Sequence, residues 1–382
     1  MNVSDFLENY NRVEEESFRS YPNFLLRAFS PVTFHNLGFQ TQIKSEGELW
    51  KYIDTQHEGR YFDNLSLLNG GFTANEFEIF QEAVDICINF TTSIHKGLVP
   101  INSLTRSLIS FRAIKSYYTS LNEEPSVLEI GSGSGYLGLL CGISGWQYSS
   151  LDVTKSLITY QNALWNFAGF KVKFAEIGVT YPDSDFLQIP WWVWAEAKNT
   201  LPKRKIVVAN HVIQEMTPLS LSFTMKKSLN LGAEYAMAEG LGYGTYKNNL
   251  SIVNRNTDLI HNVSTRSNYQ KVWVWKIKNN QHKVTDFFES ANAFPNSNKG
   301  KILLIKAIEK YKFSNLLRIK LNNLRRKRAN AKKNKQITAE SLIHPKITVG
   351  IDVINSYIRS KGVSFITMDE ETMRWANHNS HI

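Results

Sequence analysis

Two hydrophobic rhythms divide the chain. In the first hundred residues, apolar positions recur at helical spacing behind two start signals: Ser45 with Glu48 ahead of LWKYI, and Thr73 with Glu76 ahead of FEIFQEAVDICINF. A hydroxyl three residues before a carboxylate satisfies orphan amides of a first helical turn, so both read as capping boxes. Gly59, Gly70 and Gly71 punctuate the stretch between them, and a further helix is expected over residues 104–118, ended by the polar run TSLNEEP. From residue 126 the rhythm changes to short apolar runs with helical segments between them. Strands are expected at 126–130, 148–153, 172–177, 205–209, 234–238, 271–278 and 302–307. Strand alternating with helix predicts a doubly wound, mostly parallel, seven-stranded α/β sheet of Rossmann-like type with helices on both faces, its last two strands closing as an antiparallel pair. The expected organisation is a mainly helical N-terminal region (1–103), the sheet domain (104–310), a basic segment (311–337) and a C-terminal extension (338–382). That extension carries one helix at 351–360 and an apolar run at 363–367.

Composition refines this picture at three points. At 382 residues, 42% hydrophobic, 20% charged and 12% aromatic, the chain is a folded protein with ample core, not a disordered polymer. No run approaches about 18 apolar residues and the first residues are polar and acidic, so neither a membrane span nor a standard export signal is expected. Cys87 and Cys141 both lie in apolar runs, which reads as reduced, buried thiols and a cytoplasmic location. The net charge of +10 is local: residues 312–335 hold ten basic residues and no acidic one, leaving 34 against 34 elsewhere. A neutral body with one basic segment differs from a binding face spread over a fold.

The most informative run is SVLEIGSGSGYLGLL at 126–140, a strand leading into Gly131, Gly133 and Gly135 and then a helix. Small residues there let the backbone turn sharply and approach a ligand, with helix-start amides facing it. Asp152 ends the next strand, where a carboxylate can bind both ribose hydroxyls at the switch point of a doubly wound sheet. Gly133, Gly135 and Gly138 also satisfy the dinucleotide fingerprint G-x-G-x-x-G, so an NAD-dependent oxidoreductase is one reading. Glu129 before the loop, with Gly131, Gly133 and Gly135, resembles the first motif of class I S-adenosylmethionine-dependent methyltransferases, an acidic residue followed by G-x-G-x-G. By that resemblance the loop packs against the amino-acid portion of S-adenosylmethionine, Glu129 supports that end, and Asp152 holds the ribose. It also places Ser132, Tyr136, Val153 and Asn210 among the cofactor-binding residues.

Ligands of such sheets lie beyond the carboxyl ends of the strands, so the fourth and fifth ends should carry the chemistry. The fourth reads KIVVANHVIQEM, placing Asn210, His211, Gln214 and Glu215 beyond the apolar run; the fifth ends at Glu239, followed by Gly240, Gly242 and Gly244. A hydroxyl acceptor needs a base, and the imidazole of His211 is the first choice. Glu215 is expected to orient that ring or bind substrate if a helix starts early enough to stack them, and Glu239 is a further candidate substrate contact. The IPWW and NHVIQEM runs, read with the glycine motif over 127–244, resemble the sugar O-methyltransferases of polysaccharide-modifying pathways, which implies a sugar or glycoconjugate acceptor. Trp191, Trp192 and Trp194 serve either as core or as a stacking surface for that acceptor. The histidines lack ligand spacing, and Asp183 with Asp185 is ordinary turn chemistry, so no metal is expected. The basic segment suits an anionic partner: a membrane surface, a nucleic acid or a phosphate-linked sugar. An RNA methyltransferase is therefore the other alternative, although no N-P-P-Tyr or D-P-P-Tyr run follows the fourth strand.

Overall fold

The structure is a computed structural model that describes residues 3–20, 42–49, 60–61, 68, 71–182, 186–196, 201–213, 215–216, 218–241, 246–264, 270–278, 346–362 and 364–365. Its centre is an eight-stranded sheet. The strands are β1 (Ser126–Ile130), β2 (Gln147–Asp152), β3 (Val172–Phe174), β4 (Phe186–Pro190), β5 (Ile206–Val208), β6 (Tyr235–Leu241), β7 (Thr257–Ser264) and β8 (Gln270–Ile277). Their order is β3-β4-β2-β1-β5-β6-β8-β7, parallel throughout except that β8 runs antiparallel to both neighbours. The chain winds outward from β1 on one side and then crosses to β5 on the other, leaving a crevice at their carboxyl ends.

The sheet is doubly wound and mostly parallel as expected, with eight described strands instead of seven. Two were not anticipated. β4 hides in FLQIP because Gln188 interrupts its apolar run, yet Gln188 is fully buried and its side chain donates to Ile158 O at 2.8 Å. Pro190, lacking an N–H, is tolerated because it ends the strand. β7 hides in TDLIHNVS because it is an edge strand, with Leu259 half exposed. The antiparallel partner of β8 is therefore β7, and the strand expected at 302–307 lies outside the described residues, as does the basic segment 312–335.

The helices are α1 (Val3–Ser20), α2 (Ala74–Ile94), α3 (Ile101–Leu121), α4 (Tyr136–Ile143), α5 (Lys155–Phe167), α6 (Trp191–Ala195), α7 (Pro218–Asn230), α8 (Tyr246–Asn256) and α9 (Ile351–Ser360). One hydrophobic core joins α2, α3, α4 and α9 to the face of Val127 and Tyr148; another joins α1, α6 and α7 to the face of Leu128 and Leu151. The capping box of α2 forms as read: Thr73 Oγ1 accepts from Glu76 N–H at 3.2 Å and Glu76 Oε2 from Thr73 N–H at 2.8 Å. Buried Arg112 then grips Glu76 through two hydrogen bonds and caps Leu68 O and Gly71 O, so no charge is left unpaired. The C-terminal extension docks on this helical layer: Val349–Gly350 pairs with Gly71–Phe72, and Ile354 and Ile358 are fully buried. Among the described residues no helix is long and apolar enough to cross a membrane.

Candidate active site

Beyond β1 the chain turns through Gly131, Gly133 and Gly135, all left-handed at φ 66°, 56° and 77°. Side chains strain this conformation, so all three positions demand glycine. Their surroundings differ. A methyl on Gly131 would sit 2.4 Å from Val212 Cγ2, and one on Gly135 would sit 2.7 Å from Trp165 Cζ2. Among the described residues nothing lies within 4 Å of one on Gly133, so the loop has free space there. Gly138, the extra glycine of the dinucleotide pattern, meets Trp165 and Tyr148 and serves helix-to-strand packing. A polar layer holds the loop from beneath: Gln161 Nε2 donates to Gly133 O at 2.5 Å, Gln188 Nε2 to Gln161 Oε1 at 3.2 Å, and Trp165 Nε1 to Gly135 O at 2.9 Å. Sequence reasoning missed Gln161 and Gln188, which carry no motif.

Asp152 ends β2 next to the loop. Its Oδ1 accepts from the N–H of Val153 at 2.7 Å and of Thr154 at 3.0 Å, and its Oδ2 accepts from Gly133 N–H at 3.1 Å. The carboxylate expected at a ribose thus also ties the glycine loop to β2. Burial raises Asp152 from the usual 3.8 to about 6, with the backbone donors of Thr154, Val153 and Gly133 holding it down. Glu129 is buried on the same sheet face and accepts from the Tyr148 hydroxyl. Burial raises it to about 8, and repulsion from Asp152 adds to this against the Tyr148 hydrogen bond. Glu215 is the third member: burial, then Asp152, raises it to about 7. Asp152 touches the open glycine, and Glu129 and Glu215 each lie near enough to Asp152 to repel it. Ser132 is buried there too, and its hydroxyl makes no hydrogen bond.

The turn after β5 supplies the candidate base. His211 has φ 55°, one of two non-glycine residues in the described chain with positive φ. Such a conformation costs of order 1–3 kcal/mol and marks functional sites. It is held by His211 N–H donating to Glu239 O at 2.7 Å, while Asn210 Oδ1 accepts from Glu239 N–H at 3.1 Å. Val212, which a methyl on Gly131 would meet, follows His211 directly and ties this turn to the glycine loop. His211 Nε2 lies 2.6 Å from Glu239 Oε2, and the Arg106 guanidinium of α3 contacts the same nitrogen. One nitrogen cannot accept from Arg106 and donate to Glu239 at once, so the tautomer selects between these contacts. Glu239 is buried; burial alone would raise its pKa, but His211 and Arg106 outweigh it and the carboxyl is held below its usual value.

The structure therefore brings His211, Glu239 and Asn210 together, and places Glu129, Gly131, Ser132, Gly133, Gly135, Asp152 and Val153 around the loop. Glu215 is not stacked on His211 by a helix, since α7 starts only at Pro218, and it is near enough to Asp152 to be repelled by it. Tyr136 contributes its backbone to the start of α4, while its side chain is buried beside Tyr160, the two hydroxyls 3.2 Å apart. Trp191, Trp192 and Trp194 are all core, at most 3% exposed. Arg106 was missed, since an arginine in a helix remote in sequence carries no signal. Asp183, Asp185, Gln214, Gly242 and Gly244 lie outside the described residues.

No family model and no curated protein matches the chain. Solved structures resemble part of it. The bifunctional kinase-methyltransferase WbdD is 13% identical with a TM-score of 0.31, over 45% of this chain and 39% of that one. A SAM-dependent methyltransferase from Aquifex aeolicus is 16% identical with a TM-score of 0.30, over 44% of this chain and 92% of that one. Magnesium protoporphyrin IX methyltransferase from Synechocystis PCC 6803, with bound SAH, is 9% identical with a TM-score of 0.33, over 46% and 85%. This chain thus matches less than half the length of WbdD, and overlaps so partial decide nothing about its chemistry.

Proposed function

We propose that this protein is an S-adenosylmethionine-dependent methyltransferase acting on a hydroxyl group of a sugar or glycoconjugate. The observation that carries the cofactor is Asp152 bonded to the open Gly133, with Glu129 and Glu215 near enough to that carboxylate to repel it. A dinucleotide would bring a pyrophosphate dianion against them, whereas a sulfonium and an ammonium relieve their repulsion. The unpartnered Ser132 hydroxyl and the left-handed glycine turn fit the same ligand. When bound, S-adenosylmethionine supplies an electrophilic methyl group. Asp152 and Val153 would hold its nucleoside end, and the glycine loop with Glu129 its amino-acid end.

His211 removes the acceptor's proton. With Nε2–H donating to the ionised Glu239, Nδ1 presents its lone pair to the hydroxyl, and Glu239 stabilises the imidazolium formed on proton uptake. The sugar acceptor rests on the sequence resemblance over 127–244; the three tryptophans add nothing to it, being packed in the core. Cys87 and Cys141 are buried and form no disulfide with each other, which supports a cytoplasmic location. Residues 312–335 are assigned to an anionic partner by their charge. Deleting them should leave cofactor affinity unchanged and weaken binding to anionic vesicles or RNA at low salt; equal binding would assign them to a linker. The test of the reaction is transfer of a labelled methyl group to a panel of sugars and glycoconjugates, with RNA alongside. Label in a sugar methyl ether is expected, and label in RNA alone would overturn the acceptor class.

A further inference from the structure

Three hydroxyls at the carboxyl end of β2 are buried and make no hydrogen bond: Tyr10, Thr154 and Ser156. Buried donors without partners are uncommon, and each calls for a cause. Thr154 occupies the N-cap of α5, where a hydroxyl ordinarily accepts from the first turn, yet it makes no such bond. Tyr10 is the informative one because it arrives from α1. That helix is fixed over the corner: Glu14 pairs with Lys155 at 3.2 Å and accepts from Trp191 Nε1 at 3.3 Å, and Lys155 also donates to Asn11 Oδ1 at 2.6 Å. The Tyr10 ring packs edge-on against Trp192 with centroids 4.8 Å apart. Its hydroxyl is close enough to the Glu14 and Asp152 carboxylates for both to act on it, burial being the larger effect; Glu14 is within its reach, but no well-formed hydrogen bond joins them.

We infer that α1 is the outer wall of the nucleoside half of the cofactor pocket, and that the Tyr10 hydroxyl is a hydrogen-bond partner of the bound nucleoside. This rests on the reading of the crevice as an S-adenosylmethionine site. Asp152 would hold the nucleoside at the end of β2, and Tyr10 is the side chain of α1 close enough to act on this carboxylate. A phenolic hydroxyl both donates and accepts, which matches ribose hydroxyls and the mixed edge of adenine. The apolar stripe of α1, with Phe6, Leu7 and Tyr10 buried, attaches the wall to the body. Binding of a nucleoside should therefore tighten the docking of α1.

The experiment pairs calorimetry with amide hydrogen exchange. S-adenosylhomocysteine and 5′-methylthioadenosine, which carries only the nucleoside half, should both slow exchange in residues 3–20, whereas L-methionine should not. Tyr10→Phe should weaken binding of both nucleoside ligands by about three- to tenfold with an unchanged melting temperature. Glu14→Gln, which loosens the tie to Lys155, should weaken them as well. If wild-type protein binds S-adenosylhomocysteine while α1 exchange and the Tyr10→Phe affinity stay the same, the inference fails and the methyltransferase reading stands. If wild-type protein binds neither S-adenosylmethionine nor S-adenosylhomocysteine, the reading itself fails. Should Tyr10→Phe prove unstable, the exchange measurement on wild-type protein decides alone.

Discussion

At the scale of single residues, the site holds backbone strain where chemistry is proposed. His211 is a non-glycine residue in the left-handed region, so stability and turnover should separate there. His211→Ala should abolish most methyl transfer and leave cofactor affinity unchanged. His211→Gly relieves the backbone strain that His211→Ala keeps, so it should be the more stable of the two variants by about 1 kcal/mol, while both lose the ring that pairs with Glu239 and the same activity. Unaltered turnover in either variant would make His211 structural. The two loop glycines should also diverge. Gly131→Ala forces a methyl into Val212 and should destabilise the fold by about 2 kcal/mol or more. Gly133→Ala meets open space, so its folding penalty should be about 1 kcal/mol with the larger loss in cofactor affinity. Denaturant melts and binding titrations on the pair read this contrast.

At the scale of elements, Arg112 shows how a buried charge organises a helix start. Arg112→Met would leave Glu76 buried without its guanidinium and should cost about 3–5 kcal/mol; adding Glu76→Gln, which keeps the cap, should recover part of it. The same element was half legible beforehand. Thr73 and Glu76 announce the cap, because capping is local chemistry, but Arg112 reaches them from α3 and nothing in its neighbours signals this. The pattern repeats at the site. β1, the glycine turn and α4 could be read directly, since strand, turn and helix each carry their own periodicity. β4 could not, because its buried Gln188 is satisfied by α5, a tertiary fact. The stacking imagined for His211 and Glu215 failed on a helix that starts later than their spacing needs. Glu239 was identified as a candidate, but only the strand pairing of β5 with β6 makes it the partner of His211.

At the scale of the whole molecule, the C-terminal extension closes onto the amino-terminal helices. Ile354 and Ile358 enter the core beside α2, Tyr357 packs edge-on against Phe77, and Lys361 pairs with Asp85 at 2.5 Å. Ile354→Ala should lower stability by about 2–5 kcal/mol, and Lys361→Ala by less than about 1 kcal/mol, since that pair is largely exposed. The carboxyl groups of the crevice couple the whole fold to pH. Their folded pKa values, about 8, 6 and 7 for Glu129, Asp152 and Glu215, exceed the unfolded ones, so the folded state holds its protons more tightly. Their contribution to stability is full below about pH 4 and is lost as pH rises toward 8. A cation bound among them reverses the balance, favouring the ionised carboxylates and releasing protons. The most direct measurement is calorimetric titration with S-adenosylmethionine and with NAD at pH 6 and pH 8. The account predicts that S-adenosylmethionine binds, tighter at pH 8 and with proton release, and that Asp152→Ala loses this binding. Binding of NAD alone, or S-adenosylmethionine affinity that falls as pH rises, would contradict it.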